Sequence, residues 1–146
     1  MRGAPSAIRK VKSMNRLKGR IKNLESSEMM SIVEVDVDGD IFSAVVLETP
    51  GSAAYLKEGE PIDIVFKETE VSIGKGLTGM ISLRNRIKAK IKSIERGSLM
   101  SKIILDYKQR DIVSVITTGS VQRLRLQAGD EVEWLVKTNE VALITG

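Results

Sequence analysis

The sequence contains no cysteine and no histidine. Without cysteine there can be no disulfide framework and no thiolate metal site. Without histidine the chain lacks the usual general base and the commonest transition-metal ligand. A Ser-His-Asp or Cys-His catalytic set cannot be assembled from this chain alone. A carboxylate-only metal site would need a compact loop motif, and the sequence shows none. Aromatic residues make up only 3%, which predicts a core of aliphatic side chains. No apolar run approaches the roughly 18–20 residues that cross a bilayer. No apolar segment follows the basic N-terminus, as a signal peptide requires. These absences predict a soluble cytoplasmic protein, with catalysis the least supported of its possible roles.

The 146 residues suffice for one medium domain or two small ones. The hydrophobic fraction of 42% is ordinary for a globular chain. Its Ile, Val and Leu residues favour strands. The net charge of +4 conceals an uneven distribution. Residues 1–24 hold eight Lys or Arg and no acid, whereas residues 25–73 hold twelve Asp or Glu against two Lys. Residues 75–96 are basic again. Such blocks suit complementary patches that meet within or between subunits better than one continuous nucleic-acid surface.

Residues 1–11 show no period and read as a basic tail. From Arg16 the chain alternates, with Arg16, Lys18, Arg20 and Lys22 on one face and Leu17, Gly19 and Ile21 on the other. Ser26-Ser27-Glu28 breaks this strand. Ser31 to Val37 is a second strand, Asp38-Gly39 a hairpin signal, and Ile41 to Leu47 the return. Ala53 to Leu56 reads as one helical turn. Ile62 to Phe66 and Val71 to Ile73 read as closing strands. Gly74 to Gly79 is glycine-rich and reads as a linker.

The pattern then restarts. Asn15 and Asn85, Ile21 and Ile91, Glu25 and Glu95, Asp36 and Asp106, Gly59 and Gly129, and Lys67 and Lys137 are each seventy apart. This is an internal repeat over most of the chain. The second hairpin, around Lys108-Gln109-Arg110, reads one residue longer than the first. The expected architecture is all-β: two tandem OB-like small barrels of about five strands each, with a short helical turn per module. The modules are placed at 12–73 and 81–146, with 74–80 as the Gly-rich linker.

An ordered series of residues carries a family resemblance. It runs Ser82-x-Arg84-Asn85, Ile91-x-x-Ile94, Val113-x-Val115-Ile116-Thr117, Ser120-Val121-x-x-Leu124-x-Leu126-x-x-Gly129 and Val136-Lys137-Thr138-x-x-Val141. Residues 12–146 thus resemble two tandem molbindin (Mop, TOBE-type) modules. The resemblance implies strand exchange between modules, homo-oligomers, and oxyanion pockets at module interfaces with molybdate or tungstate as ligand. It implies storage or homeostasis of that ion, or the effector domain of a molybdate-responsive regulator. No Gly-x-x-x-x-Gly-Lys-Ser/Thr loop is present, so a transporter ATPase is not implied.

The positions matching the family's site in repeat two are Ser82, Arg84, Lys137 and Thr138, with Thr117 and Ser120 as further candidates. Hydroxyl donors, a guanidinium fork and a lysine point charge suit a tetrahedral dianion of four acceptor oxygens. Repeat one departs from this set. Lys12 stands for Ser82, Met14 for Arg84 and Glu68 for Thr138, and only Lys67 is retained. A carboxylate there would repel a dianion, so Lys67 would serve only a shared site. Taken singly, Ser82, Arg84 and Lys137 also fit ordinary solvated strand residues. The lysine ladder Lys88, Lys90, Lys92 reads as a solvated face or as a partner for the acidic body of repeat one. Two rival readings are a nucleic-acid-binding tandem OB-like protein and a purely structural module. The first suffers from the scatter of Phe42, Tyr55, Phe66, Tyr107 and Trp134, because single strands are usually held on stacking platforms.

Overall fold

The computed structural model describes residues 14–145. The expected basic tail at 1–11 lies outside them, as does Lys12. The alternating stretches form two long strands, β1 (Met14–Ser26) and, seventy residues on, β6 (Asn85–Arg96). Leu17 and Ile21 are buried on β1 while Arg16, Lys18 and Arg20 face out. The alternation slips once, between Ile21 and Asn23, where the register shifts. Lys22 and Asn23 both face out, and Leu24 turns back inward. β6 carries the same shift between Ile91 and Ser93. A bulge bends and twists its strand, so each long strand can serve two partners. The first half of β1 pairs with β4 (Pro61–Lys67) and the second half with β2 (Ser31–Val37). The first half of β6 likewise pairs with β9 (Glu131–Val136), and the second half with β7 (Met100–Tyr107).

β2 turns into β3 (Asp40–Val46), and β7 into β8 (Arg110–Thr117). Both turns place two residues at positive φ, Asp38 (49°) with Gly39 (93°) and Lys108 (50°) with Gln109 (70°). In each, an aspartate accepts a backbone N–H across the turn: Asp36 from Gly39 at 2.8 Å and Asp106 from Gln109 at 3.0 Å. The second hairpin is therefore not longer than the first. It lacks the Asp-Gly signature but keeps the two-residue left-handed geometry that matches strand twist.

The closing strands cross over. β5 (Ser72–Gly74) pairs with β9, and β10 (Ala142–Ile144) pairs with β4. The sheets run β10-β4-β1-β2-β3 and β5-β9-β6-β7-β8. Each repeat thus lends its last strand to the other, as the family resemblance implies. A single buried cluster spans both repeats. Its aliphatic shell follows the expectation from composition, but its centre does not. Trp134 is 0% exposed and packs against Phe42, Phe66 and Tyr107 with ring centroids 5.6, 5.5 and 5.5 Å away. Few aromatics does not mean an aliphatic centre, because four of them converge where the repeats meet.

The helical turn expected at Ala53 to Leu56 is a reverse turn closed by one bond from the Leu56 N–H to the Ala53 carbonyl. The helical-type turn of repeat one lies earlier, where the Ala53 N–H reaches the Thr49 carbonyl at 2.9 Å. Pro50 suits the first position of such a turn, whereas Gly51 disfavours its extension. Repeat two forms a true short helix there, α1 (Thr118–Arg123), with Thr117 as its N-cap. The glycine-rich segment after β5 is strapped down. Lys75 Nζ bonds the Arg125 carbonyl and Asp130, both at 2.9 Å, and Leu77 fills the space a Cβ on Gly74 would occupy.

Candidate functional site

The exchange of β5 sets the end of repeat one beside the end of β9. The segment leading into β6 crosses the same place. Between them lies a groove of about 610 Å³ lined by Ser82, Arg84, Lys137 and Thr138 from repeat two and by Thr69, Glu70 and Ser72 from repeat one. Ile81, Leu83, Leu135 and Glu140 complete the lining. Four of the seven candidate residues, separated in sequence by more than fifty positions, therefore share one groove.

The backbone just after Ser82 and Arg84 is held by two anchors. Asn85, 1% exposed, exchanges two hydrogen bonds with the backbone of Ser43. Arg86 Nε bonds Glu133 Oε2 at 2.7 Å, and its other nitrogens reach the carbonyls of Leu77 at 3.4 Å and Gly79 at 3.5 Å. The hydrogen bond from Arg86 holds the Glu133 carboxyl below its ordinary range, against the opposing effect of burial. Lys137 caps a 3-10 turn, Thr138–Glu140, its carbonyl accepting the Glu140 N–H at 2.9 Å. That turn presents the Lys137 and Thr138 side chains to the groove from a rigid strand end.

Two cations, Arg84 and Lys137, and three carboxylates, Glu34, Glu70 and Glu140, face this region. Glu70 is turned toward its own 3-10 turn, where Oε1 accepts the Lys67 N–H at 3.2 Å. Arg84 Nη2 lies 3.7 Å from Glu34 Oε2 on β2 of the other repeat. That is an ion-pair distance without a hydrogen bond, so the guanidinium is steered without being consumed. Arg84 and Glu34 are 50% and 30% exposed, which makes the pair weak and exchangeable. The groove thus offers hydroxyls from Ser72, Ser82, Thr69 and Thr138 together with two positive charges. Among the described residues no cluster of three or more carboxylates stands ready to hold a metal ion.

The remaining candidates lie elsewhere. The Thr117 hydroxyl donates to Ser120 Oγ at 2.8 Å and accepts the Ser120 N–H at 3.1 Å, so Thr117 caps α1 and Ser120, in its first turn, is tied to that cap. Lys67 caps the first 3-10 turn, the counterpart of Lys137, and does not line this groove. Sequence reasoning missed Thr69 and Ser72. The strand exchange implied by the resemblance was the one available signal for them, since it predicts that the end of repeat one joins the second barrel.

The charge blocks do meet, through different residues from the lysine ladder. Lys92 pairs with Asp111 of its own repeat, whereas Arg84, Lys108 and Arg110 reach Glu34, Asp40 and Asp38 of repeat one. Of the five aromatic residues, Phe42, Phe66, Tyr107 and Trp134 are buried and only Tyr55 is half-exposed, so the described surface has no row of rings of the kind a nucleic-acid stacking platform uses.

Comparison with known proteins bears on the same region. Residues 81–143 match the family described as TOBE domain. That stretch is repeat two, which carries Ser82, Arg84, Lys137 and Thr138. Among solved structures, the cytoplasmic molybdate-binding protein ModG, in a form with molybdate bound, aligns with a TM-score of 0.84 at 27% identity over 90% of this chain and 96% of that one. The molybdenum import ATP-binding protein ModC of Brucella abortus (strain 2308) is 30% identical over 115 residues, 78% of this chain and 30% of that protein. Molybdenum-pterin-binding protein 3 of Clostridium pasteurianum is 26% identical over 65 residues, 44% of this chain and 96% of that protein. The chain therefore spans about 30% of the length of the ModC relatives it matches.

Proposed function

We propose that this chain, similar to the TOBE domain family over its second repeat and to ModG over most of its length, is a molbindin (Mop/TOBE-type) protein that binds a tetrahedral oxyanion, molybdate or tungstate, for storage and homeostasis in the cytoplasm. The observation that carries the reading is the convergence of Ser82, Arg84, Lys137 and Thr138 in one groove at the junction of the repeats. Hydroxyls donate to the ion's oxygens without competing charge. Arg84 and Lys137 offset its dianionic charge, and charge-assisted bonds are about twice as strong as neutral ones. The ion enters beside Arg84 and takes up the donors that the loose contact with Glu34 leaves uncommitted.

The names of the relatives support a binding role rather than a catalytic one: a molybdate-binding protein and a molybdenum-pterin-binding protein. A cytoplasmic location goes with the description of ModG. No helix among the described residues is long and apolar enough to cross a membrane. The groove is wider than one tetraoxo ion and its Ser82, Arg84 and Lys137 walls are exposed. We place its open side against a further copy of the chain, which would close it in a homo-oligomer.

Calorimetric titration with molybdate, tungstate and sulfate tests the reading. Saturable heat with molybdate or tungstate, lost or weakened in Arg84→Ala and Lys137→Ala, is the expected result. No heat with either ion would remove the proposal.

A further inference from the structure

Besides the exchanged strands, two kinds of side-chain contact hold repeat one against repeat two, and they differ in what they discriminate. The first kind is symmetric. Asn15 exchanges bonds of 2.9 and 2.8 Å with the backbone of Val113, as Asn85 does at 2.7 and 2.9 Å with Ser43. Asn15 and Asn85 are equivalent positions, and so are Ser43 and Val113. Two copies of the same repeat would offer the same groups, so these bonds favour pairing without selecting a partner.

The second kind is asymmetric. The hairpin of repeat one carries Asp38 and Asp40 where that of repeat two carries Lys108 and Arg110. The two turns meet. Lys108 Nζ lies 3.0 Å from Asp40 Oδ2 and donates to the Asp38 carbonyl at 2.6 Å, while Arg110 pairs with the Asp38 carboxylate. The Tyr107 hydroxyl donates to Asp40 at 2.6 Å. In a pair of identical repeats, aspartate would face aspartate, or lysine and arginine would face their own kind.

The buried rings are divided in the same manner. Phe42 and Phe66 of repeat one stand opposite Ile112 and Val136 in the repeat register, whereas Tyr107 and Trp134 of repeat two correspond to Val37 and Ile64. At each of these four positions one repeat is large and the other small. A like-with-like pair of repeat two would bring in two Trp134 and two Tyr107 rings. A like-with-like pair of repeat one would leave the centre without a Trp. Close-packed interiors tolerate neither overfilling nor voids.

We propose that the hairpin charges and the divided ring set key each repeat to the other, so that the docking face of repeat one accepts repeat two and rejects a second repeat one. Specificity here is a difference between partners, and like-charge contacts supply the rejecting half of it. The keyed pair also composes the groove. A pair of two second repeats would put Asn139 in place of Thr69 and Ala142 in place of Ser72, removing both hydroxyls that repeat one contributes.

The test uses the full chain and no oxyanion, so its outcome is independent of the proposed ligand. Three variants are compared: Asp38→Lys, Arg110→Asp, and both together. Lys108 adopts φ 50° where Asp38 adopts 49°, so lysine suits the backbone at position 38. The Tyr107–Asp40 bond is left in place. Each single reversal is expected to lower the thermal midpoint by roughly 2–4 °C and to shift some of the protein to larger species in light scattering. The double exchange is expected to recover at least half of the loss, with the whole effect shrinking in about 1 M salt. Unchanged midpoints in the single variants, or a double variant as low as the sum of the singles, would overturn the proposal.

Discussion

The side-chain amide of Asn85 satisfies both backbone groups of Ser43, accepting its N–H at 2.7 Å and donating to its carbonyl at 2.9 Å. Ser43 lies on β3, the outermost strand of its sheet. An edge strand presents unpaired N–H and C=O groups, and here one amide of the opposite repeat serves as a one-residue strand. The pair is buried, so water does not substitute for it. Asn85 also begins β6, one residue after Arg84. The bond that joins the repeats therefore sits next to the groove.

Removing this amide leaves two buried backbone groups of Ser43 without partners. Each such group costs about 1–3 kcal/mol, so Asn85→Ala is expected to lose roughly 2–6 kcal/mol in urea unfolding. Asn15→Ala should behave alike toward Val113. Equal stability of Asn85→Ala and wild type would show that the edge of β3 finds other partners.

Arg84→Ala and Lys137→Ala are each expected to weaken molybdate binding about 10- to 100-fold, the worth of one charge-assisted bond. The far-ultraviolet spectrum should not change, since both side chains are exposed. Lys67→Ala serves as the control, because Lys67 lies outside the groove. A larger loss at Lys67 than at Lys137 would move the site to the other 3-10 turn.

Repeat one holds Met14 and Glu68 where the groove of repeat two uses Arg84 and Thr138. Met14→Arg combined with Glu68→Thr supplies the counterparts of Arg84 and Thr138 beside the retained Lys67 and deletes the repelling carboxylate, while Lys12, Asn139 and Ala142 still stand for Ser82, Thr69 and Ser72. Titration of this variant is expected to show about one additional oxyanion per chain. No added stoichiometry would mean that the counterpart position lacks the shape as well as the donors.

Trp134 anchors the ring cluster and is fully buried. Its truncation to Ala should cost about 3–5 kcal/mol, the usual range for a large core aromatic. Both sheets should lose stability together, because the cluster joins Phe42 and Phe66 of one repeat to Tyr107 and Trp134 of the other. Two separate unfolding transitions in the wild type would contradict this shared core.

Stability should also report on three carboxyls. The Lys75 hydrogen bond holds Asp130 below its ordinary value, and the Arg86 hydrogen bond does the same for Glu133. Burial alone would raise Asp40, but hydrogen bonds from Tyr107 and Lys108 outweigh it and lower that carboxyl too. Depressed carboxyls bind protons more weakly when folded, so their contribution is present above the ordinary values of about 3.9–4.3 and is lost as pH falls through the lowered ones. The thermal midpoint should be level from about pH 8 to pH 5 and fall below about pH 4. Glu133→Gln should start lower and fall less steeply.

Much of the fold was legible because a strand with one buried face writes its period into the chain. The seventy-residue repeat, the alternation from Arg16 to Ile21 and the Asp38-Gly39 turn are local patterns, and the structure has all three. The second hairpin was misjudged because Lys108 and Gln109 take left-handed backbone that neither residue advertises. The helical-type turn of repeat one lies earlier than its apolar residues suggest, because Thr49 to Ala53 closes through backbone bonds and the Ser52 hydroxyl rather than through an apolar face. Of the groove, Ser82, Arg84, Lys137 and Thr138 came from the family resemblance, while Thr69 and Ser72 required the exchange of β5.

By itself, then, the sequence determined the strands, the duplication, the absence of thiol and imidazole chemistry, and the donor types available to an anion. Those follow from residue chemistry and from periods of two along the chain. Tertiary structure alone decided how the exchanged strands are registered, where the four rings meet, and which hydroxyls join Arg84 and Lys137. These depend on pairing between segments tens of residues apart, where hydrogen-bond register, ring size and the signs of Asp38 and Arg110 select one arrangement among several that the local pattern allows.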